Sequence, residues 1–97
     1  MKTVYFTQSR LVKISDGTVV HDWCDACFGH DNFDMAMRCY AESEQIDSGN
    51  IPSDSDNPVK SLIANMLRYE YDQNKASGVR CESRLIKRTI TEEVIDA

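Results

Sequence analysis

The sequence has little glycine, and its four glycines are scattered rather than gathered into one loop. A glycine-rich loop that holds phosphates is therefore absent, which argues against the common nucleotide-binding motifs. No apolar run reaches membrane-spanning length, and the first one, from Val4 to Phe6, is too short for a signal peptide. We therefore expect a cytoplasmic protein whose four cysteines are reduced.

Positive charge is scarce over a long segment of the chain. Between residues 22 and 56, one base, Arg38, stands against nine carboxylates, whereas the whole chain of 97 residues has a net charge of only −5. We call this segment the acidic stretch; its carboxylates are Asp22, Asp25, Asp31, Asp34, Glu42, Glu44, Asp47, Asp54 and Asp56. Because this charge repels phosphates, we expect neither direct DNA binding nor membrane binding, and a basic protein is the natural partner.

The hydrophobic pattern predicts three strands within a single domain that spans residues 1–97. Residues with β-branched and aromatic side chains predict strands over 3–14 and 18–27. The Asp16-Gly17 pair between them predicts a two-residue hairpin with a type I′ turn. Alternating apolar residues predict the last strand over 79–91.

Two amphipathic helices are predicted between the second and third strands. The first covers 33–44, begins after a cap at Asp31 or Asn32, and turns four residues inward: Phe33, Ala36, Met37 and Tyr40. The second covers 58–76, because Asn57-Pro58 is a typical helix start. Its apolar stripe is predicted to be the centre of the core and contains Val59, Leu62, Ile63, Met66 and Leu67.

The element order, ββααβ, predicts an α+β fold in which a three-stranded antiparallel sheet carries two helices on one face. The first two strands pair as a hairpin. The third strand is able to pair with either edge of that hairpin, so the strand order in the sheet stays open.

Cysteine and histidine recur at steps of three residues in one segment, at His21, Cys24, Cys27 and His30. Zinc is held by tetrahedral sets of thiolates and imidazoles, so these four are the candidate ligands. On a strand, however, Cys24 and Cys27 point to opposite faces, and cysteines that pack as small apolar side chains are the alternative. Cys39 and Cys81 lie far away in the sequence. We predict no metal, no cofactor and no enzymatic activity, with a small zinc-stabilised protein–protein interaction module as the alternative function.

Size, charge segregation and element order together resemble the DNA-mimicking anti-CRISPR inhibitors, which are small acidic α+β proteins encoded by phages, and above all those of the type I-F class. The resemblance implies that the nine carboxylates of the acidic stretch face the DNA-binding cleft of a CRISPR surveillance complex. They would block target DNA without catalysis or cofactor, in the host-cell cytoplasm, and the inhibitor is expected to be a monomer. The third strand departs from an all-acidic mimic because it carries four bases: Arg80, Arg84, Lys87 and Arg88.

Overall fold

The computed structural model of the chain describes residues 2–51, 56–91 and 93–95. Its elements are β1 (Lys2–Lys13), β2 (Val19–Asp25), α1 (Phe33–Asp47), α2 (Pro58–Ala76) and β3 (Val79–Ile90). They form one three-stranded antiparallel sheet and two helices, which confirms the predicted α+β fold and its ββααβ order. In the described part of the chain, neither helix is apolar over a length that would cross a membrane.

The sheet has the strand order β2-β1-β3, so the first strand is central. The third strand pairs antiparallel with β1 along its whole length, from Lys2 opposite Ile90 to Lys13 opposite Val79. The second strand pairs with the other edge of β1, and two register irregularities interrupt that ladder around Leu11. The pairing of the third strand, which the sequence leaves open, is therefore with β1.

The connection between β1 and β2 differs from the predicted two-residue hairpin. The strands stop at Lys13 and Val19, and Gly17 has a φ of 75°, whereas no described residue other than glycine has a positive φ. A type I′ turn needs a positive φ at both central residues, so the predicted turn at Asp16-Gly17 is wrong. Instead, the Asp16 carboxylate accepts a hydrogen bond from the Thr18 amide, and the bonds to Thr18 lower the pKa of Asp16.

Both helices lie on one face of the sheet. Cys81 and Ser83 alternate along β3 with residues of the opposite face, so their side chains point to the same side. The Ser83 hydroxyl donates a 2.5 Å hydrogen bond to Asp47 at the end of α1, and the Asn74 amide of α2 lies 3.8 Å from the Cys81 sulfur. Contacts from both helices therefore meet on this side of β3.

Helix α1 begins where predicted, because the Asn32 side chain accepts hydrogen bonds from the first free amides of the helix. It continues beyond the predicted end at Glu44. The predicted inward face is correct for buried Ala36; Phe33 is half-exposed but packs edge-on against the Tyr5 ring of β1 with 5.3 Å between the ring centres, and Met37 is 40% exposed. Half-buried residues complete the inward face: Cys39, Tyr40, Ser43, Ile46 and Asp47.

Helix α2 turns its predicted core stripe towards solvent. The large apolar side chains on this side, which we call the α2 stripe, are between 50 and 66% exposed: Val59, Leu62, Ile63, Met66 and Tyr69. The helix instead buries Ala64 and half-buries Leu67 and Tyr71. The close approach of Tyr71 to Gly49 accounts for this orientation, because a Cβ on Gly49 would lie 2.6 Å from the tyrosine ring.

The molecule is more open than a compact domain of its length. Its radius of gyration is 16.5 Å, whereas about 13 Å is typical of a compact domain of 100 residues. The buried apolar residues are mostly small or on the sheet: Phe6, Val12, Ala36, Ile51 and Ala64. The openness comes largely from α2, whose only buried residue is Ala64.

Candidate functional site

The acidic stretch divides into carboxylates that face solvent and carboxylates that the protein itself engages. The exposed group, which forms no ion pair within the described residues, consists of Asp22, Asp31, Asp34, Glu42 and Asp56. Glu44 is also exposed and accepts a hydrogen bond from the Tyr40 hydroxyl, which raises the pKa of Tyr40. Asp54 lies outside the described residues.

Asp25 is held by the sheet. Its carboxylate accepts a 3.0 Å hydrogen bond from the Gln8 amide and lies 3.4 Å from the Arg88 guanidinium. The bond from Gln8, followed by the charge of Arg88, lowers the pKa of Asp25. This carboxylate is ionised but already has partners, so it contributes less to an outward acidic field than the sequence suggested.

Asp47 does not belong to the solvent-facing surface. It is half-buried between α1 and β3, where Ser83 donates to it, and burial raises the pKa of its carboxyl despite that hydrogen bond. An α-helix places residues at steps of three and four on one side, and Asp47 shares its side with Ala36. The nine carboxylates therefore do not form one continuous surface.

The outward side of α1 keeps a smaller acidic group. Asp31 precedes the cap, Asp34 lies in the first turn near the positive end of the helix dipole, and Glu42 follows two turns later, about 12 Å along the axis. We call these three residues the acidic ridge. Arg38 lies between Asp34 and Glu42, four residues from each, but forms no ion pair with a described residue.

The bases of β3 mostly lie on the helix-free face, where they contact other residues of the sheet. The guanidinium groups of Arg10 and Arg84 lie 4.6 and 4.2 Å from the centre of the Trp23 ring. Arg84 also donates two hydrogen bonds to the Gln8 side chain, at 2.9 and 2.7 Å. Arg80 and Arg10 pair with Glu82, and Arg88 contacts the Phe6 ring as well as Asp25. Trp23 is therefore half-buried among arginines and is not a free interface anchor.

The structure separates the four zinc ligands suggested by the sequence. The His21 ring bonds to the Asp22 carbonyl at 3.0 Å, and the Cys24 thiol donates to the Ser9 carbonyl at 3.6 Å, both on the edge strand β2. Cys27 and His30 lie on the segment that follows β2. Main-chain hydrogen bonds of 2.8 Å in both directions between Tyr5 and His30 hold that segment beside β1.

Cys39 of α1 joins Cys27 and His30 instead. The Sγ atoms of Cys27 and Cys39 are 3.6 Å apart, and the ligand atoms of all three residues lie within 4.8 Å of one another. Burial, followed by the neighbouring Cys27 thiol, raises the pKa of Cys39. Sequence reasoning missed Cys39, and its only clue was a position three residues after Ala36 on the inward side of the helix.

Thr7 of β1 lies beside this cluster. Its side chain is 1% exposed, and its hydroxyl oxygen has no well-formed hydrogen bond within the described part of the chain. The hydroxyl lies next to the Cys39 sulfur and would favour the thiolate form of that residue. A buried hydroxyl without a partner is unusual and usually has a specific cause.

Two groups of residues are thus available for function: the exposed acidic ridge and the half-buried cluster of Cys27, His30 and Cys39. Neither contains an activated nucleophile paired with a base in hydrogen-bonding geometry among the described residues, and both are suited to binding. Comparison with known proteins found no match, since no family model, no curated protein and no solved structure is similar to the chain.

Proposed function

We propose that this protein is a cytoplasmic inhibitor that occupies the nucleic-acid-binding cleft of a basic protein complex, of which the type I-F CRISPR surveillance complex is the leading candidate. The observation that carries the proposal is the acidic ridge, whose carboxylates are exposed and have no cationic partner within the described residues. The partner would supply the missing cations.

The physical basis is the spacing of charge on a rigid helix. Asp34 and Glu42 are about 12 Å apart along the axis of α1, about twice the 5–6 Å between carboxylates three or four residues apart, so they would take the places of phosphates about two steps apart along a nucleic acid strand. Arginines that normally hold phosphates accept carboxylates with the same two-pronged geometry. Asp22 and Asp56 are also exposed and form no ion pair within the described residues, whereas Asp25 and Asp47 would contribute little because the protein already engages them.

A competition experiment tests this proposal. Labelled target DNA is bound to a purified type I-F surveillance complex, and increasing amounts of the protein are added at two ionic strengths. We expect displacement of DNA that weakens as salt rises, because the contacts are electrostatic. The ridge variant Asp31→Asn/Asp34→Asn/Glu42→Gln should require at least about ten times more protein, since each lost charged hydrogen bond costs about 1.5–3 kcal/mol.

The matched control removes the same number of charges elsewhere, as Asp16→Asn/Asp72→Asn/Glu93→Gln, in exposed residues outside the acidic stretch. It should compete as well as the wild type. Equal loss in both triple variants would show that only net charge matters, and the absence of any competition by the wild-type protein would refute the proposal. The protein alone should leave the mobility of duplex DNA unchanged.

The α2 stripe favours a second candidate, a protein–protein interaction module whose partner is a second copy of the chain. Its five large apolar side chains are between 50 and 66% exposed, and no described residue covers their exposed parts. Complete burial of such a side chain contributes about 1.5–3 kcal/mol, so covering the stripe would contribute about 4–9 kcal/mol per copy. The two copies together would contribute about 8–18 kcal/mol, compared with an association cost of about 4–15 kcal/mol.

The middle of the α2 stripe matches itself across a two-fold axis. An antiparallel pair of α2 helices crossing at Met66 would place Met66 opposite its own copy and Ile63 opposite Tyr69 of the second copy. Lys60 would then come within about 3 Å, measured along the axis, of Glu70 of the second copy. Opposite charges would thus flank the apolar contact on both sides of the two-fold axis.

This candidate differs from the expectation of a monomer, and a mass measurement decides between them. Light scattering during size-exclusion chromatography should give twice the chain mass of 11.0 kDa at high protein concentration and should fall towards the chain mass on dilution. A measured mass equal to that of one chain at every concentration would exclude self-association, and the stripe would then not be a dimer interface.

A further inference from the structure

We propose that Cys27, His30 and Cys39 bind one zinc ion as three of its four ligands, with water in the fourth position. The proposal goes beyond the inhibitor function and does not depend on it. It also differs from the ligand set that the sequence suggests, because it replaces His21 and Cys24 by a cysteine from α1.

The geometry of the two sulfurs is the first argument. Tetrahedral zinc with Zn–S bonds of about 2.3 Å places two thiolate sulfurs about 3.8 Å apart. The observed distance between the Cys27 and Cys39 sulfurs is 3.6 Å. A disulfide needs about 2.05 Å, so the two side chains stand at the separation that suits a shared metal.

The imidazole of His30 completes the three-ligand set. With a Zn–N bond of about 2.0–2.1 Å, the nitrogen of a tetrahedral site lies about 3.6 Å from each sulfur. All ligand atoms of the cluster already lie within 4.8 Å of one another, so small side-chain rotations that move these atoms by about 1 Å bring them to bonding positions. Two sulfurs and one imidazole nitrogen suit zinc better than magnesium or calcium, which prefer oxygen.

The protein holds the three ligands on two fixed parts of the chain, the segment after β2 and helix α1. The paired main-chain hydrogen bonds between Tyr5 and His30 fix one end of the segment after β2, and the Ala26 amide donates to the Thr7 carbonyl at 3.0 Å at its other end. Cys39 lies on the inward side of α1, whose start is fixed by the Asn32 cap. A metal at this point would join β1, the segment after β2, and α1.

The second argument is the buried Thr7 hydroxyl. It has no well-formed hydrogen bond within the described residues, and it lies beside the Cys39 sulfur. Cysteine binds zinc as the thiolate, which accepts hydrogen bonds far better than a thiol. Metal binding would therefore give the Thr7 hydroxyl an acceptor, and such hydrogen bonds to metal ligands typically change metal affinity by about 10–100-fold.

Glu42 adds to the attraction for a cation. It follows Cys39 by three residues on α1, so the two residues are neighbours on the helix surface. The fourth position stays with water because Glu42 lies outside the group of ligand atoms that are within 4.8 Å of one another.

Metal titration of the untagged, full-length protein tests the proposal. The protein is reduced with a phosphine that does not bind zinc, dialysed against Zn²⁺, and analysed for bound metal; Co²⁺ serves as a spectroscopic probe. We expect one ion per chain, the intense visible bands of tetrahedral Co²⁺, and a sulfur-to-cobalt charge-transfer band. Zinc should also raise the Tm of the protein, because the ion binds only the folded chain.

The neighbouring residues supply matched control variants. Cys27→Ser and His30→Gln should weaken zinc binding by at least about 100-fold, since loss of a ligand exceeds the effect of an outer hydrogen bond. Cys24→Ser and His21→Gln make the same chemical changes outside the cluster and should bind zinc as the wild type does. The charge-transfer band per cobalt should fall by about half in Cys27→Ser, whereas Cys24→Ser should leave it unchanged.

Two further variants test the role of α1 and β1. Cys39→Ser should lose binding as Cys27→Ser does, and circular dichroism checks that it folds. Thr7→Val keeps the shape of the side chain and should reduce zinc affinity by about 10–100-fold without loss of stoichiometry at saturation. The reduced wild-type protein binding no stoichiometric ion would overturn the proposal. Equal losses of zinc binding in the Cys24 and Cys27 variants would also overturn it. Formation of a Cys27–Cys39 disulfide in place of zinc binding would overturn it as well.

Discussion

Replacement of Leu62 and Met66 by glutamine separates the stability of one chain from the contacts of its α2 stripe. Leu62 is 60% exposed and Met66 is 63% exposed, so the single chain buries only about two fifths of each side chain. At about 1.5–3 kcal/mol for complete burial, the double variant should lose about 1–2 kcal/mol of unfolding free energy. Glutamine has nearly the helix propensity of leucine and methionine, so the helix itself should persist.

Self-association should respond much more strongly than stability. The remaining three fifths of each side chain would be covered only in the dimer, and the change occurs in both copies, so the dimer should lose about 4–7 kcal/mol. At 1.4 kcal/mol for each factor of ten, the dissociation constant should rise at least several hundredfold.

Analytical ultracentrifugation and urea unfolding together measure the two effects. Met35→Gln is the matched control, because Met35 is also exposed and helical but lies on α1, away from the stripe. It should leave the dissociation constant unchanged. The reasoning fails if the double variant costs more than about 3 kcal/mol in a monomer, because the stripe would then be part of the core of a single chain.

Three smaller predictions concern the packing of one chain. Gly49→Ala should cost about 2–4 kcal/mol of unfolding free energy, because it adds a clash with the Tyr71 ring to the backbone strain at φ 82°. The control Gly78→Ala has a similar φ of 76° but no atom within 4 Å of the added Cβ, so it should cost only about 1–2 kcal/mol. Equal urea midpoints for the two variants would contradict this. Burial raises the pKa of Asp47, so the folded state binds the proton of this carboxyl more tightly than the unfolded state does. The wild-type protein should therefore gain stability relative to Asp47→Asn as the pH falls through the folded pKa towards the ordinary value of 3.8. Parallel curves of Tm against pH for the two proteins would contradict this. Trp23→Leu removes two arginine contacts and should cost about 1–2 kcal/mol in urea unfolding, and a cost below about 0.5 kcal/mol would show that the contacts are not stabilising.

The element types and their order could be predicted from local signals. Asn32 and Asn57 start helices because their side chains satisfy free amides, and alternation along 79–91 marks a strand. The turn at Asp16-Gly17 could not be predicted because the irregular pairing of β1 with β2 places the strand ends away from the two residues. Such register shifts depend on the whole sheet rather than on the residues of the turn.

The buried side of α2 could not be predicted because periodicity identifies an apolar face but not what covers it. Ala64 and Tyr71 face the protein since they fit against α1 and Gly49, and this fit is a tertiary property. The same limit concealed the candidate metal ligands. Cys39 is close to Cys27 only after α1 packs on the sheet, so spacing along the sequence favoured Cys24 instead.

The sides of α1 on which the carboxylates lie could be predicted from helical spacing, but not all of their contacts could. Helical spacing places exposed Asp34 and Glu42 away from buried Ala36, whereas it places Asp47 on the same side as Ala36 once the helix continues past Glu44. The Gln8 contact of Asp25 agrees with the register of the predicted hairpin, whereas the Arg88 contact could not be predicted, because the sequence left the pairing of the third strand open.

The central position of β1 has a consequence for how the chain folds during synthesis. The strand is made first, but the partner that covers one of its edges, β3, is made last, so Lys2 must wait for Ile90. Pairing over such a distance closes a long loop and slows folding relative to a helical bundle of the same size. Until residue 90 leaves the ribosome, the hairpin of β1 and β2 exposes an unpaired edge that other strands can join. The sheet is therefore completed only after translation of nearly the whole sequence, and the growing chain depends on that edge staying unoccupied.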